Sequence, residues 1–318
     1  MSNQLVSIIM SVYNNEDTVK ASIESILSQS YKNIEVATSI EFKADGEAIK
    51  FVGSKIDLAN NANLDITSGN GAVEVSGVAG DSAETVTINA GTSSVKIGDV
   101  GDSGHSEIHT LTISGDAGIT LTGNIYTTAD SSSAGDVTFN DNVIIDGAVS
   151  IDTDNTGDTT STDGIIKFST SIQSETNGTD SLTLTSGAGT ITLVEVGGSS
   201  KPLTSFVATS NALTISNDIT TTGLIDINAP VTLGGDVIIS SGTGTGNVEF
   251  SSTITGTQNL DILSGSGAVT ITGNIGGQAL TSLDINATGA STGSGNISIL
   301  GNIGADGTSG AGIVNIGN

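Results

Sequence analysis

Four near-identical words recur along the chain: Leu64-Asp-Ile-Thr-Ser-Gly, Leu111-Thr-Ile-Ser-Gly, Leu182-Thr-Leu-Thr-Ser-Gly and Leu260-Asp-Ile-Leu-Ser-Gly. Each is followed within a few residues by a second short run, namely Ala72-Val-Glu-Val, Ile119-Thr-Leu, Ile191-Thr-Leu and Val269-Thr-Ile. Apolar residues at i and i+2 around a polar one describe a strand with one face in a core and the other in water. The Gly, Asn, Asp and Ser between the runs supply tight turns at little steric cost. A strand-turn unit this short cannot bury its own apolar face, so copies must stack on one another.

Further rungs of the same kind include Val86-Thr-Ile, Val95-Lys-Ile, Val137-Thr-Phe, Val143-Ile-Ile, Leu213-Thr-Ile, Val237-Ile-Ile, Leu283-Asp-Ile and Ile297-Ser-Ile. Only 3% of the residues are aromatic, with no Trp and no Cys, while Gly occupies 43 positions. That composition is too poor in large side chains for an ordinary globular core, and it suits thin coils packed through Val, Ile and Leu. The density of regular alternation argues against disorder. We therefore expect an all-β chain, a β-solenoid over residues 37–318. The Leu-initiated words lie 47, 71 and 78 residues apart. A divisor near two dozen predicts coils of roughly 24 residues, on the order of a dozen of them. A β-sandwich array would instead require longer strands and repeat blocks near ~100 residues.

Charge divides the chain. There are 34 acidic residues against 8 lysines, no arginine, and a formal net charge of −26. Five of the lysines fall in residues 1–55, so the remainder carries 3 lysines against 27 acids. Such a surface repels nucleic acid and anionic membranes and attracts divalent cations or basic partners. The first ten residues lack a basic n-region, so no secretory signal is visible, and no stretch approaches the ~18 apolar residues of a membrane span. Membrane insertion is not expected.

Residues 1–36 are of another kind. Leu5-Val-Ser-Ile-Ile-Met-Ser-Val-Tyr13 reads as a buried strand, Val19, Ile23, Ile26 and Leu27 fall at helical spacing, and Tyr31-Lys-Asn-Ile-Glu-Val begins a second strand. This wording resembles the opening of family 2 glycosyltransferases. In that family the second strand leads to paired aspartates that grip the nucleotide, whereas here Glu35-Val36 runs into Ala37-Thr-Ser-Ile-Glu-Phe-Lys. The resemblance implies a strand-helix-strand fragment, read here as a small N-terminal αβ cap segment over the end of a solenoid or as a glycosyltransferase relic.

Residues 181–318 resemble the repeat arrays of bacterial surface and secreted proteins of the filamentous-haemagglutinin and adhesin type. Ser-Gly-Ala-Gly-Thr-Ile-Thr-Leu at 186–193, Gly-Thr-Gly-Asn-Val-Glu-Phe at 244–250 and Gly-Thr-Gln-Asn-Leu-Asp-Ile at 256–262 carry the likeness. It implies a right-handed parallel β-helix serving as a non-enzymatic, extracellular or cell-surface rod with cell-surface or matrix partners.

One ligand constellation stands out. Asp152, Asp154, Thr156, Asp158 and Asp163 fall at positions 3, 5, 7 and 12 relative to the first, with Gly157 at position 6. This is the spacing of a calcium loop, although Asp replaces the bidentate Glu and no flanking helices are evident. Calcium is the expected cofactor; an Asp/Thr-rich loop between coils is the structural alternative. His105 and His109, with Asp102 and Glu107 nearby, form a weaker metal set. No nucleophile, base and orienter set is readable, so we expect no enzyme. The rival is a β-helical carbohydrate-active enzyme or sugar-binding protein, which would need cations and aromatic platforms scarce here. Gly310-Ala-Gly-Ile-Val-Asn-Ile-Gly-Asn318 is a rung with nothing to blunt its edge, and head-to-tail self-association is expected.

Overall fold

The computed structural model describes residues 39–58, 62–80, 84–102, 108–128, 135–154, 163–198, 200–276, 278, 280–286, 295–304 and 312–317. The N-terminal strand-helix-strand expectation lies outside them. The described residues form an all-β solenoid of 31 short strands, joined in parallel pairs and without an α-helix.

Alternation dictates the form of each strand. In Thr110–Ser114 the side chains of Leu111 and Ile113 are fully buried while Thr110, Thr112 and Ser114 point outward. Strands of this kind stack in three files, which define three faces. The first face is a ten-stranded sheet running from Ser39–Lys43 to Ile254–Thr255. The second runs from Ile49–Phe51 to Ile313–Ile316 and the third from Ile56–Asp57 to Ile297–Ile299. Near the start these two share the strands Val73–Ala79 and Val95–Val100, each of which pairs within both files.

Ten strands on the first face make nine turns, and isolated bridges from Ile254 to Ile275 and from Ile275 to Ile303 carry the file further. At the ~4.8 Å strand spacing, nine turns extend roughly 4 nm. One turn takes between 18 residues, from Leu213 to Val231, and 33, from Val149 to Leu182. The expected coil of about two dozen residues is therefore an average over variable corners.

Inside, like stacks on like. Leu64, Val86, Leu111, Val137, Ile166, Ile191, Leu213, Val231 and Ile254 form one continuous buried file on the first face. The inward side chains of all three faces merge into a single apolar cluster. Phe139 and Phe168, one coil apart in register, stack with ring centroids 4.9 Å apart. Burying a Val, Leu, Ile or Phe contributes about 1.5–3 kcal/mol, so a core built from single side chains on thin coils is held by the number of its layers.

The four recurring words do not mark one place in the repeat. Leu64 and Leu111 lie on the first face, two coils apart, Leu182 on the third and Leu260 on the second. What three of them share is the corner that follows. Ser68, Ser186 and Ser264 are buried, and Gly69, Gly187 and Gly265 adopt φ of 75°, 47° and 56°. Only glycine takes this left-handed conformation without strain. The second glycine of each Ser-Gly-x-Gly corner is held by stacking: a Cβ on Gly71, Gly189 or Gly267 would sit 2.1, 2.1 or 1.9 Å from a carbonyl oxygen of the coil below. The same corner thus turns the chain at all three vertices of the prism.

Inward hydroxyls pin these corners. Ser264 Oγ donates to the Gly267 carbonyl at 2.8 Å, Ser241 Oγ to Gly246 at 2.6 Å, Thr221 Oγ1 to Gly223 at 2.8 Å and Thr153 Oγ1 to Gly164 at 2.7 Å. Ser68 makes the equivalent bond to Gly71. The bridged separation ranges from 2 residues to 11, so a corner can absorb an insertion while its base stays closed.

Candidate functional site

The longest of these bridged corners holds the aspartates singled out by spacing. Strand Ala148–Asp152 on the third face ends at Asp152, whose register partner on the next coil is Thr185. Thr153 turns inward, is fully buried, and closes the loop base twice: its hydroxyl reaches the Gly164 carbonyl, and the Gly164 N–H returns to the Thr153 carbonyl at 3.2 Å. Asp152 Oδ1 accepts the Asp154 N–H at 2.9 Å, and Asp163 Oδ2 accepts the Ala188 N–H of the next coil at 2.6 Å.

This brings Asp154 and Asp163 over the Gly187 corner. A Cβ placed on Gly187 would fall 2.2 Å from Asp163 Oδ2 and 2.8 Å from Asp154 Oδ1, so the missing side chain is what lets the carboxylates converge. Burial first, and then the charges of Asp154 and Asp163, raise the Asp152 carboxyl above its ordinary value despite the N–H it accepts. Burial and Asp163 likewise raise Asp154. Like charges held together in this way favour the protonated form or a bound cation. Thr156 and Asp158 lie outside the described residues. Among the described residues no group of three or more His, Cys, Asp or Glu side chains is disposed to hold a metal.

His105 and Glu107 also lie outside the described residues. His109 is buried, 8% exposed, and its Nδ1 lies 3.1 Å from the Thr128 carbonyl.

Register reveals a second acidic pair that spacing alone did not. Asp261 and Asp284 are direct partners on adjacent coils of the second face, and Asn315 continues the file, donating to Asp284 Oδ1. Burial raises the Asp261 carboxyl, and the charge and hydrogen bond of Asp284 add to the rise. The available signal was two Leu-Asp-Ile words one coil apart. Among the described residues the ion pairs Lys43–Glu41, Lys50–Glu74, Lys55–Asp99 and Lys96–Asp146 all precede this pair in the chain.

Threonines fill much of the outward file of the first face, with Thr87, Thr112 and Thr138 in sequence, then Lys167, then Thr192, Thr214, Thr232 and Thr255. The neighbouring outward positions are mixed, with Asn63, Thr85, Thr110, Thr190 and Ala212.

Fold and sites together define a parallel β-solenoid with acidic outward files. No family model matches the chain, and no solved structure matches it. Among curated proteins, a 33-residue stretch is 61% identical to the UDP-Glc:alpha-D-GlcNAc-diphosphoundecaprenol beta-1,3-glucosyltransferase WfaP of Escherichia coli. That stretch is 10% of this chain and spans 13% of the enzyme's length. Among the described residues no helix is long and apolar enough to cross a membrane.

Proposed function

We propose that the solenoid is a non-enzymatic structural rod, displayed outside the cell or on its surface in the manner of adhesin-type repeats, and a building block that associates head to tail. The observation that supports this reading is the unbroken apolar file, one side chain per coil from Leu64 to Ile254, which makes length and stiffness the property that the sequence repeats. The outward files contribute soluble acidic and hydroxyl surface. The 33-residue similarity supports a glycosyltransferase-derived segment joined to this rod. Sugar transfer by that segment would need the nucleotide-binding aspartates that the family places where this chain reads Ala37-Thr-Ser-Ile-Glu-Phe-Lys.

The test is twofold. Antibody against the solenoid is expected to label intact source cells or their medium. Incubation with UDP-glucose and with neutral and acidic polysaccharides is expected to yield no transfer and no new reducing ends. Turnover abolished by Asp261→Asn or Asp154→Asn would overturn the reading in favour of a carbohydrate-active enzyme.

Calcium bound by Asp152, Asp154, Thr156, Asp158 and Asp163 is a second proposal, supported by the convergence of Asp154 and Asp163 over Gly187. Calorimetry is expected to show calcium binding that Asp154→Ala removes. Heat unchanged by that substitution would discard the site.

A further inference from the structure

The first face differs from the other two in charge. From Thr85 to Thr255 its strands present fourteen outward side chains, ten of them threonine, and the single charge among these is Lys167. Over the same coils the strands of the other two faces carry Asp99, Asp152, Glu195, Asp226 and Glu249. In a chain of net charge −26 a run of eight strands without an outward carboxylate is the exception. Two copies repel one another across an acidic face, and that repulsion is least across the first.

The form of this face suits a flat partner. Its ten strands are parallel and in register, with threonine stacked on threonine over much of the central outward file. Sheets made of such files pack face to face, with like side chains interdigitating and excluding water. At ~4.8 Å per strand and ~3.3 Å per residue, ten strands of about five residues cover about 700 Å². That is close to the ~800 Å² per partner of a standard stable interface.

We propose that the first face is a dimer interface, occupied by the first face of a second copy of this chain, with the two solenoids side by side and antiparallel. Charge fixes the register. Lys167 lies on the sixth strand of the sheet and has no ion pair among the described residues. Asp136 borders the fifth strand and accepts the Ile165 N–H at 2.9 Å. A two-fold axis running between these two strands, along their direction, sets Lys167 of each copy over Thr138 of the other and beside its Asp136. The same axis sets Thr112 over Thr192 and Thr87 over Thr214. An unshifted parallel pair would instead bring Lys167 onto Lys167. In the antiparallel pair the acidic faces remain outside, in solvent. This contact is lateral, and it is independent of the head-to-tail association proposed above.

Rod width separates the two associations, because side-by-side pairing widens a rod and end-to-end growth lengthens it. Negative-stain microscopy of the 318-residue chain is expected to show rods two solenoids wide, and sedimentation velocity to show dimers or their multiples, with circular dichroism confirming that each variant is folded. Thr87→Glu/Thr214→Glu sets carboxylate over carboxylate at both symmetry-related places. It is expected to give rods of single width and to raise the concentration needed for pairing at least about tenfold. Thr87→Lys/Thr214→Glu sets ammonium over carboxylate in the antiparallel register and like over like in the parallel one, and is expected to keep the double width. Thr183→Glu/Thr209→Glu adds the same charge to the outward side of the third face and is expected to leave width unchanged. Wild-type rods of single width at every concentration would overturn the interface. So would a Thr87→Glu/Thr214→Glu chain as wide as wild type, or equal narrowing by the third-face variant. Narrowing by Thr87→Lys/Thr214→Glu would overturn the antiparallel register.

Discussion

Ser264 and Ser186 occupy the same place in the same word, and both are fully buried, yet their hydroxyls fare differently. Ser264 Oγ donates to Gly267 and accepts from Asn286 Nδ2 at 3.0 Å, while Ser186 Oγ has no partner among the described residues. Removing a hydroxyl that satisfies two buried groups costs about 1–3 kcal/mol, whereas removing an unpartnered one relieves a desolvation penalty. Urea denaturation should therefore place Ser264→Ala about 1–3 kcal/mol below wild type, with Ser186→Ala equal to wild type or above it. Asp180 is a second case where environment decides. Burial alone would raise this carboxyl, but hydrogen bonds from Ser174, the Gly147 and Thr176 N–H groups and Thr179 outweigh burial and hold it below its ordinary value. A depressed acid stabilises the fold above its unfolded pKa and loses that contribution as pH falls through the folded value. The melting-temperature advantage of wild type over Asp180→Asn should accordingly be full at neutral pH and shrink once pH drops below about 3.8, the ordinary Asp value.

Between neighbouring coils the unit of energetics is the register pair, and in Asp261 with Asp284 two carboxyl groups face each other. A carboxyl raised in the folded state binds its proton more tightly there than in the unfolded chain, so its contribution turns against folding as pH rises above the ordinary Asp value and through the folded one. Asp261→Asn should raise the melting temperature at pH 7 and lose that gain in acid; equal melting temperatures at both pH values would contradict the coupling. Such pairs also show where sequence reading reached its limit. Strand identity was legible because alternation is local: Leu111-Thr-Ile and Leu213-Thr-Ile are strands in the sequence and in the structure. Which face a strand joins was not legible, because the Ser-Gly-x-Gly corner serves every vertex. The distances between recurring words therefore mixed whole coils with fractions of one. The Asp- and Thr-rich composition of 152–163 was legible, but the bond from Thr153 to Gly164 depends on a hydroxyl turned inward, which no spacing rule encodes. The Asp261–Asp284 pair was hidden for the same reason: cross-coil partners 23 residues apart become neighbours only once the corner lengths are known.

At the scale of the whole solenoid, stability depends on coils repeating in register, since no single coil holds enough apolar surface to stand alone. The lack of any native cysteine makes this register directly measurable. Thr192 and Thr214 are outward-facing partners on adjacent coils of the first face, and Thr232 follows one coil later. Parallel partners at the ~4.8 Å strand spacing lie within the reach of a disulfide, while residues two coils apart, at nearly ~10 Å, do not. Under mild oxidation the chain carrying Thr192→Cys and Thr214→Cys should cross-link quickly and within one molecule, and the chain carrying Thr192→Cys and Thr232→Cys should stay reduced. Equal cross-linking of both chains, or of neither, would contradict the in-register parallel solenoid.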